Sequence, residues 1–200
     1  MAHISSIGAG LYTDLAVGVK TGDGTWTSAE LAAFNSSATW LNITTGPFCG
    51  SEVAANGTVA AAVGQFVRIQ NVREFPSIGT PANIVQVAQY GSKTSRQVQG
   101  QADAPTIEIT LNYVPNDWSS TSVLGKKVAD GNQYPIRFAL LNAQPTAYGS
   151  LVAGLGTKEN SQWFWVGKLE SLLINPQLTD ANTATLTISV QSDFYGSYTI

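Results

Sequence analysis

A mainly β chain is predicted by three features of the 200-residue sequence. Apolar and polar residues alternate at period two in several segments, and turn-forming residues punctuate them. Charged residues make up only 12%, about half the ~25% usual in soluble domains, so neutral Gly, Ser, Thr, Asn and Gln must solubilise the surface. Such a surface suits β-structure with extensive contact areas. The length fits a single domain over residues 1–200, whose core could bury roughly 70% of the surface that the unfolded chain exposes.

The first third is soft. Residues 8–64 are rich in Gly, Ala, Ser and Thr, with strand-like pieces at 11–19 and 39–44. Between them, Thr27 and Glu30 have the spacing of a capping box ahead of Leu31 and Phe34, which predicts about two helical turns or, alternatively, a strand edge. Residues 45–64 (TGPFCGSEVAANGTVAAAVG) hold too little apolar volume for a core and read as a long loop.

From Phe66 onward the strand signals follow one another at 66–75, 84–90, 106–114, 134–142, 162–174 and 183–191. The alternation is clearest where Ile107, Ile109, Leu111 and Tyr113 interleave with Glu108, Thr110 and Asn112. It recurs where Leu186, Ile188 and Val190 interleave with Thr185, Thr187 and Ser189. Each pattern puts one face on a core and the other toward water or a polar partner. At 119–130, Val123, Leu124 and Val128 fall roughly on one side, which predicts one short amphipathic α-helix flanking a sheet and ending at Asp130, Gly131 and Asn132. The run Trp163, Phe164, Trp165, Val166 is apolar on both faces and predicts a strand covered on both sides; Trp163 and Trp165 project together.

Residue supply argues against an enzyme. The single histidine, His3, leaves no Ser-His-Asp, Cys-His or multi-histidine metal site. Cys49, the one cysteine, lacks a CxxC partner. Glu108 and Glu170 fall on polar strand faces and read as solvated or interfacial carboxylates, not as a glycosidase pair. The glycines at 22 and 24 and at 154 and 156 lack a βαβ context, and the aspartates lack a calcium-loop spacing, so no cofactor or metal is expected. The net charge of -3, with no basic cluster, argues against specific nucleic-acid binding. No stretch approaches the ~20 apolar residues of a membrane span, and the N-terminus lacks the pattern of a secretory signal. These features predict synthesis in the cytoplasm. The sequons at Asn35, Asn42 and Asn56 read as chance matches in a chain this rich in Ser, Thr and Asn.

The strands at 106–113 and 185–191 contain one charged residue between them, Glu108. Edges so lightly guarded invite pairing with copies of the same chain, and heterologous pairing about an axis closes a ring that can stack into a tube.

Read in order, PTIEITLNYVPNDW (105–118), a short helix, PIRFALLN (135–142), QWFWVGKLES (162–171) and TATLTISVQSDF (183–194) resemble the major tail tube protein of long-tailed, siphovirus-type bacteriophages. The resemblance covers about 66–200. It implies an antiparallel β-sandwich or partly open barrel with one flanking helix, an N-terminal arm at about 1–10 and a long mobile loop at about 45–64. It also implies a structural virion protein, made in the host bacterial cytoplasm and located in the tail. Six copies would form a ring, and rings would stack into the conduit for DNA ejection. Its partners would be itself, the tape measure protein and tail tip or terminator proteins, with DNA only in non-specific transit.

On this resemblance Phe48, Cys49, Glu52 and Asn56 are inter-ring loop candidates. Trp163, Trp165, Ile107, Ile109 and Leu111 are core or subunit-interface candidates. A conduit for a polyanion should be neutral or mildly acidic, because a basic wall would hold phosphates by releasing their counterions. That singles out the row Glu108, Thr110, Asn112, or the row Thr185, Thr187, Ser189, as lumen lining. Two alternatives compete: a carbohydrate-binding or adhesive β-sandwich using Trp26, Trp40, Trp118 and Tyr148 in loops, and the inner tube of a contractile tail or related secretion needle.

Overall fold

The computed structural model describes residues 13–20, 24–34, 65–79, 84–91, 93–100, 104–140 and 161–196. The strand-like piece at 39–44, the arm at 1–10 and the loop at 45–64 lie outside the described residues. The described chain is mainly β, with very little helix. Its strands are β1 (Thr13–Val19), β2 (Gln65–Arg68), β3 (Val72–Glu74), β4 (Ile84–Val87), β5 (Arg96–Gln99), β6 (Thr106–Asn112), β7 (Tyr134–Leu140), β8 (Ser161–Asn175), β9 (Thr183–Val190) and β10 (Tyr195–Gly196). The helix α1 spans Ser28–Phe34.

Nearly all described strands join one antiparallel sheet in the order β2-β1-β7-β8-β9-β6-β3, with β10 added beside β8; among the described residues β4 and β5 pair only with each other. Laid flat, the outer strands of a seven-strand path would lie ~29 Å apart at about 4.8 Å per step. Yet β2 and β3 are separated by residues 69–71 alone, a reach of roughly 14 Å at most. The sheet therefore curls shut. The linking residues supply their own bonds: Ile69 N–H donates to Leu15 O on the β1 side, and Asn112 N–H donates to Asn71 O on the β6 side, each at 2.8 Å. Asn71, at φ 61°, makes the turn between the two partners.

The second crossing is β8. Ser161 to Gly167 pair with β7, and Gly167 to Asn175 pair with β9. Gly167 sits at the corner, paired with both Tyr134 and Val190. A Cβ there would meet Ser189 O at 2.8 Å and Ile136 Cδ1 at 2.9 Å, so only glycine lets the three strands converge. A bulge between Leu169 and Ser171 completes the bend. The result is a β-sandwich closed like a barrel. One layer is β2, β1, β7, the first half of β8 and β10; the other is the second half of β8, β9, β6 and β3.

The core lies between the layers. Ile107, Ile109 and Leu111 of β6 share a face with Ile188, Leu186 and Ala184 of β9, all at most 4% exposed. Opposite them, Leu15 and Val17 of β1 share a face with Phe138 and Ile136 of β7 and Trp163 and Trp165 of β8. Phe138 lies 5.9 Å from Trp163, and Trp165 lies 5.1 Å from Phe194, centroid to centroid. The other face of the first layer is buried as well, through Ala16, Phe66, Arg137 and Phe164.

The capping box forms as the spacing predicts. Thr27 N–H donates to Glu30 Oε2 at 2.8 Å and Glu30 N–H donates to Thr27 Oγ1 at 3.3 Å. The Trp26 indole N–H ties the approach to α1 onto β1 through Gly18 O at 3.0 Å.

The α-helix expected at 119–130 is not there. The segment is a series of turns with a single 3-10 turn, Gly125–Lys127. Ser122 is the reason: its Oγ lies 2.7 Å from Asp117 O and 2.8 Å from Ser119 O, and accepts Gly125 N–H at 3.0 Å. A hydroxyl so engaged offers the backbone an alternative to helical bonds. Gly125 has the lowest helix propensity after proline, and Ala129 turns the chain away at φ 59°. Leu124 still reaches the core, fully buried, so the apolar stripe packs inward on a backbone that is not helical.

Candidate assembly surface

Register decides where the polar rows point. Partnered residues of an antiparallel ladder share a face, and Glu108 pairs with Thr187, Thr110 with Thr185, and Thr106 with Ser189. The two rows expected as alternatives are therefore one surface. β8 extends it: Lys168 pairs with Ser189, Ser171 with Thr187 and Leu173 with Thr185. β3 extends it on the other side, with Glu74 opposite Thr110. The outer face of this layer is a four-stranded wall of hydroxyls and amides. It carries Glu74, Glu108 and Glu170 together with Lys168, and β3 adds the exposed Arg73 beside Glu74.

All six expected wall residues are exposed or half-exposed. Ser189 Oγ–H donates to Glu170 Oε1 at 2.5 Å, which fixes that carboxylate along the wall across the β8 bulge. Trp163, Trp165, Ile107, Ile109 and Leu111 all lie on the opposite, inward side, at most 4% exposed. Within one copy they are core. Phe48, Cys49, Glu52 and Asn56 lie outside the described residues.

The wall has two margins. At one, β8 beyond its corner is paired only to β9; Ala129 N–H reaches Leu169 O at 2.8 Å, and among the described residues no strand pairs with that edge further on. Leu173, Ile174 and Leu178 are 62%, 48% and 106% exposed there. At the other margin β3 leads into the β4-β5 hairpin. Its Ile84, Val85, Val87 and Val98 are 56%, 48%, 47% and 53% exposed, and Tyr90 stands fully in solvent. The polar spacing around Arg96, Gln97 and Gln99 hid β5 from sequence reading, because its only apolar residue is Val98.

Electrostatics elsewhere are structural. Asp14 is held between Arg68, whose Nε–H donates to Oδ1, and Arg137, whose Nη2 donates to Oδ2 at 2.8 Å. Arg137 also stacks on the Phe66 ring at 4.7 Å. Lys20 bonds Glu30 at 2.5 Å, and with the Thr27 bonds this lowers the carboxyl from 4.5 to about 2. Burial raises the carboxyl of Asp117. Among the described residues no cluster of His, Cys, Asp or Glu could hold a metal ion, and no helix is long and apolar enough to cross a membrane. Trp26 and Trp118, two of the four aromatics considered for sugar stacking, are 7% and 8% exposed; Trp40 and Tyr148 lie outside the described residues.

No protein-family model and no curated protein sequence matches the chain. Among solved structures it is similar to a chain of the anti-feeding prophage baseplate, at 11% identity and a TM-score of 0.42, over 68% of this chain and 84% of that one. It is also similar to a chain of the sheath/tube terminator of an extracellular contractile injection system, at 14% identity and a TM-score of 0.41, over 66% and 88%.

Proposed function

We propose that the protein is a structural tail component that polymerises as stacked, hexameric rings into the tube of a long-tailed phage, with the four-stranded wall facing the lumen. The observation that supports the reading is the register joining Glu108 and Thr110 to Thr187 and Thr185, with Thr106 opposite Ser189, on one outward face. A sheet of mostly neutral side chains with a small acidic excess repels a polyanion weakly and gives it few cations to exchange against. The margins of the same wall leave strand edges unpaired among the described residues, which is what a repeating unit needs in order to continue a sheet into its neighbour. In this reading DNA passes without being bound, and the tape measure, tail tip and terminator proteins meet the assembled tube.

Negative-stain microscopy of the purified protein at increasing concentration tests it. Rings that stack into tubes are the expected result. A protein that stays monomeric at high concentration overturns the proposal. The burial of Trp26 and Trp118 removes two of the four aromatics on which a carbohydrate-binding reading relied.

A further inference from the structure

The β4-β5 hairpin is an unusual object to leave in water. All eight of its strand residues are exposed, and the apolar ones fall on both faces: Val85 pairs with Val98, while Ile84 and Val87 flank them. A two-stranded ribbon alone is marginal in water, so a ribbon like this is completed by something that adds to it. Its charge is one-sided, with Lys93 and Arg96 and no acid over the described residues from Ile84 to Gly100. The stretch of β8 whose edge is unpaired among the described residues has the opposite bias. From Leu169 to Asn182 the chain carries Glu170 and Asp180 and no cation, beside the exposed Leu173, Ile174 and Leu178. The two features sit at opposite margins of the wall, since the strand order β8-β9-β6-β3 ends in the β8 edge on one side and in the strand that feeds the hairpin on the other.

Resting on the ring reading above, we infer that β5 of one copy adds as a strand to the free edge of β8 in the next copy, with Arg96 near that copy's acidic β8-β9 end and Val98 against Leu173. The contact is heterologous, hairpin margin to β8 margin, so repetition closes a ring instead of stopping at a dimer. Main-chain bonds supply affinity and the alternate side chains supply register, as in other strand-addition interfaces. Val85 and Val98 become covered, and the wall runs unbroken from copy to copy.

Cross-linking tests the inference. In a Cys49→Ser background, Val98→Cys and Leu173→Cys are placed in one chain and treated with a short bis-maleimide. The expected product is a ladder of dimers, trimers and higher species, absent from either single-cysteine chain. A link that closes within one chain overturns the inference, as do dimers from Val98→Cys alone, which would mark hairpin-to-hairpin pairing. Rings under the microscope without a ladder defeat the docking and leave the tube reading standing; a ladder without rings or tubes does the reverse; absence of both defeats both. As a second measurement with an intact Cys49, Arg96→Glu should raise the concentration needed for assembly several-fold, and Asp180→Lys in the same chain should bring it back. Unchanged assembly in Arg96→Glu, or failure of the second change to restore it, counts against the pairing.

Discussion

Arg137 donates through Nη2 to Asp14 Oδ2 at 2.8 Å, and neither residue is more than 2% exposed. The pair lies on adjacent strands, with Arg68 on the third, so one buried carboxylate faces two guanidinium groups. Removing the carboxylate takes away the buried ion-pair partner of Arg137. Asp14→Ala should therefore destabilise the fold by roughly 3–5 kcal/mol. The double change Asp14→Leu with Arg137→Met should cost clearly less, because it removes both buried charges and leaves only Arg68, whose side chain is 24% exposed. Urea unfolding of the three proteins decides it. A double variant as unstable as Asp14→Ala would mean that packing, not charge, sets the cost.

The corner of β8 makes a second prediction. Gly167→Ala forces a methyl to within 2.8 Å of Ser189 O, a backbone atom that can move only if β9 moves. The expected loss is about 1–3 kcal/mol, as for other overpacked sites. Gly131→Ala is a useful contrast, for nothing lies within 4 Å of its missing Cβ and only its φ of 77° resists the change. Thermal unfolding of both variants, with a smaller shift for Gly131→Ala, is the check.

What the sequence made legible was periodic. The rows of β6 and β9 and the doubly buried face of Trp163 to Val166 follow from alternation alone, since a strand shows its two faces at period two. The capping box at Thr27 and Glu30 was legible because both partners lie within one turn. Hidden features depend on distant partners or on competing local bonds. Asp14 and Arg137 are 123 positions apart, and nothing local to either marks the other. Closure of the sheet turns on residues 69–71, where one strand changes neighbours; period-two reading merged β2 and β3 into one strand at 66–75 because the pattern barely breaks. The helix expected at 119–130 failed on the hydroxyl of Ser122, whose local bonds outweigh an apolar stripe. For the assembly surface, alternation named both rows, but only the ladder between β6 and β9 could place them on one face.

Acid should loosen α1 within a defined window. Glu30 titrates at about 2 in the folded chain because of its bonds to Lys20 and Thr27, against 4.5 for the free group. On acidification the unfolded chain therefore takes up this proton first. The stabilisation is complete above 4.5 and is lost as pH falls through about 2. Glu30→Gln should flatten that part of the stability curve and weaken the capping box at neutral pH. Measured by denaturant unfolding from pH 6 to pH 2, an unchanged slope would show that the Lys20 bond does not persist in solution.

Asp117 should behave in the opposite sense. Burial raises its carboxyl, so the folded chain holds the proton more tightly than the unfolded chain does. Its ionisation costs stability as pH rises through the ordinary carboxylate value toward the raised one, and the cost persists at neutral pH. Asp117→Asn keeps the backbone bonds that Val114 and Ser122 make with this residue. It should therefore be more stable than the parent at pH 7, with the gap closing on acidification. A gap that widens at low pH would reverse the assignment.

Adding cations to the wall addresses the proposed lumen most directly. Thr185 and Thr187 point outward from β9, half-exposed, opposite Thr110 and Glu108. Lysines there should leave the core and the monomer's stability within about 0.5 kcal/mol of the parent. In an assembled tube they would line the bore with cations. Double-stranded DNA fragments should then be retained by Thr185→Lys/Thr187→Lys tubes at low salt. Retention should fall steeply as salt rises, because each phosphate neutralised releases counterions with a slope near −0.9 per contact. Parent tubes should retain none at any salt. Filter retention across a salt series, alongside microscopy to confirm that both proteins form tubes, separates the outcomes: DNA held equally by both would place the wall elsewhere than the bore, and loss of tubes in the variant alone would place it at a subunit contact.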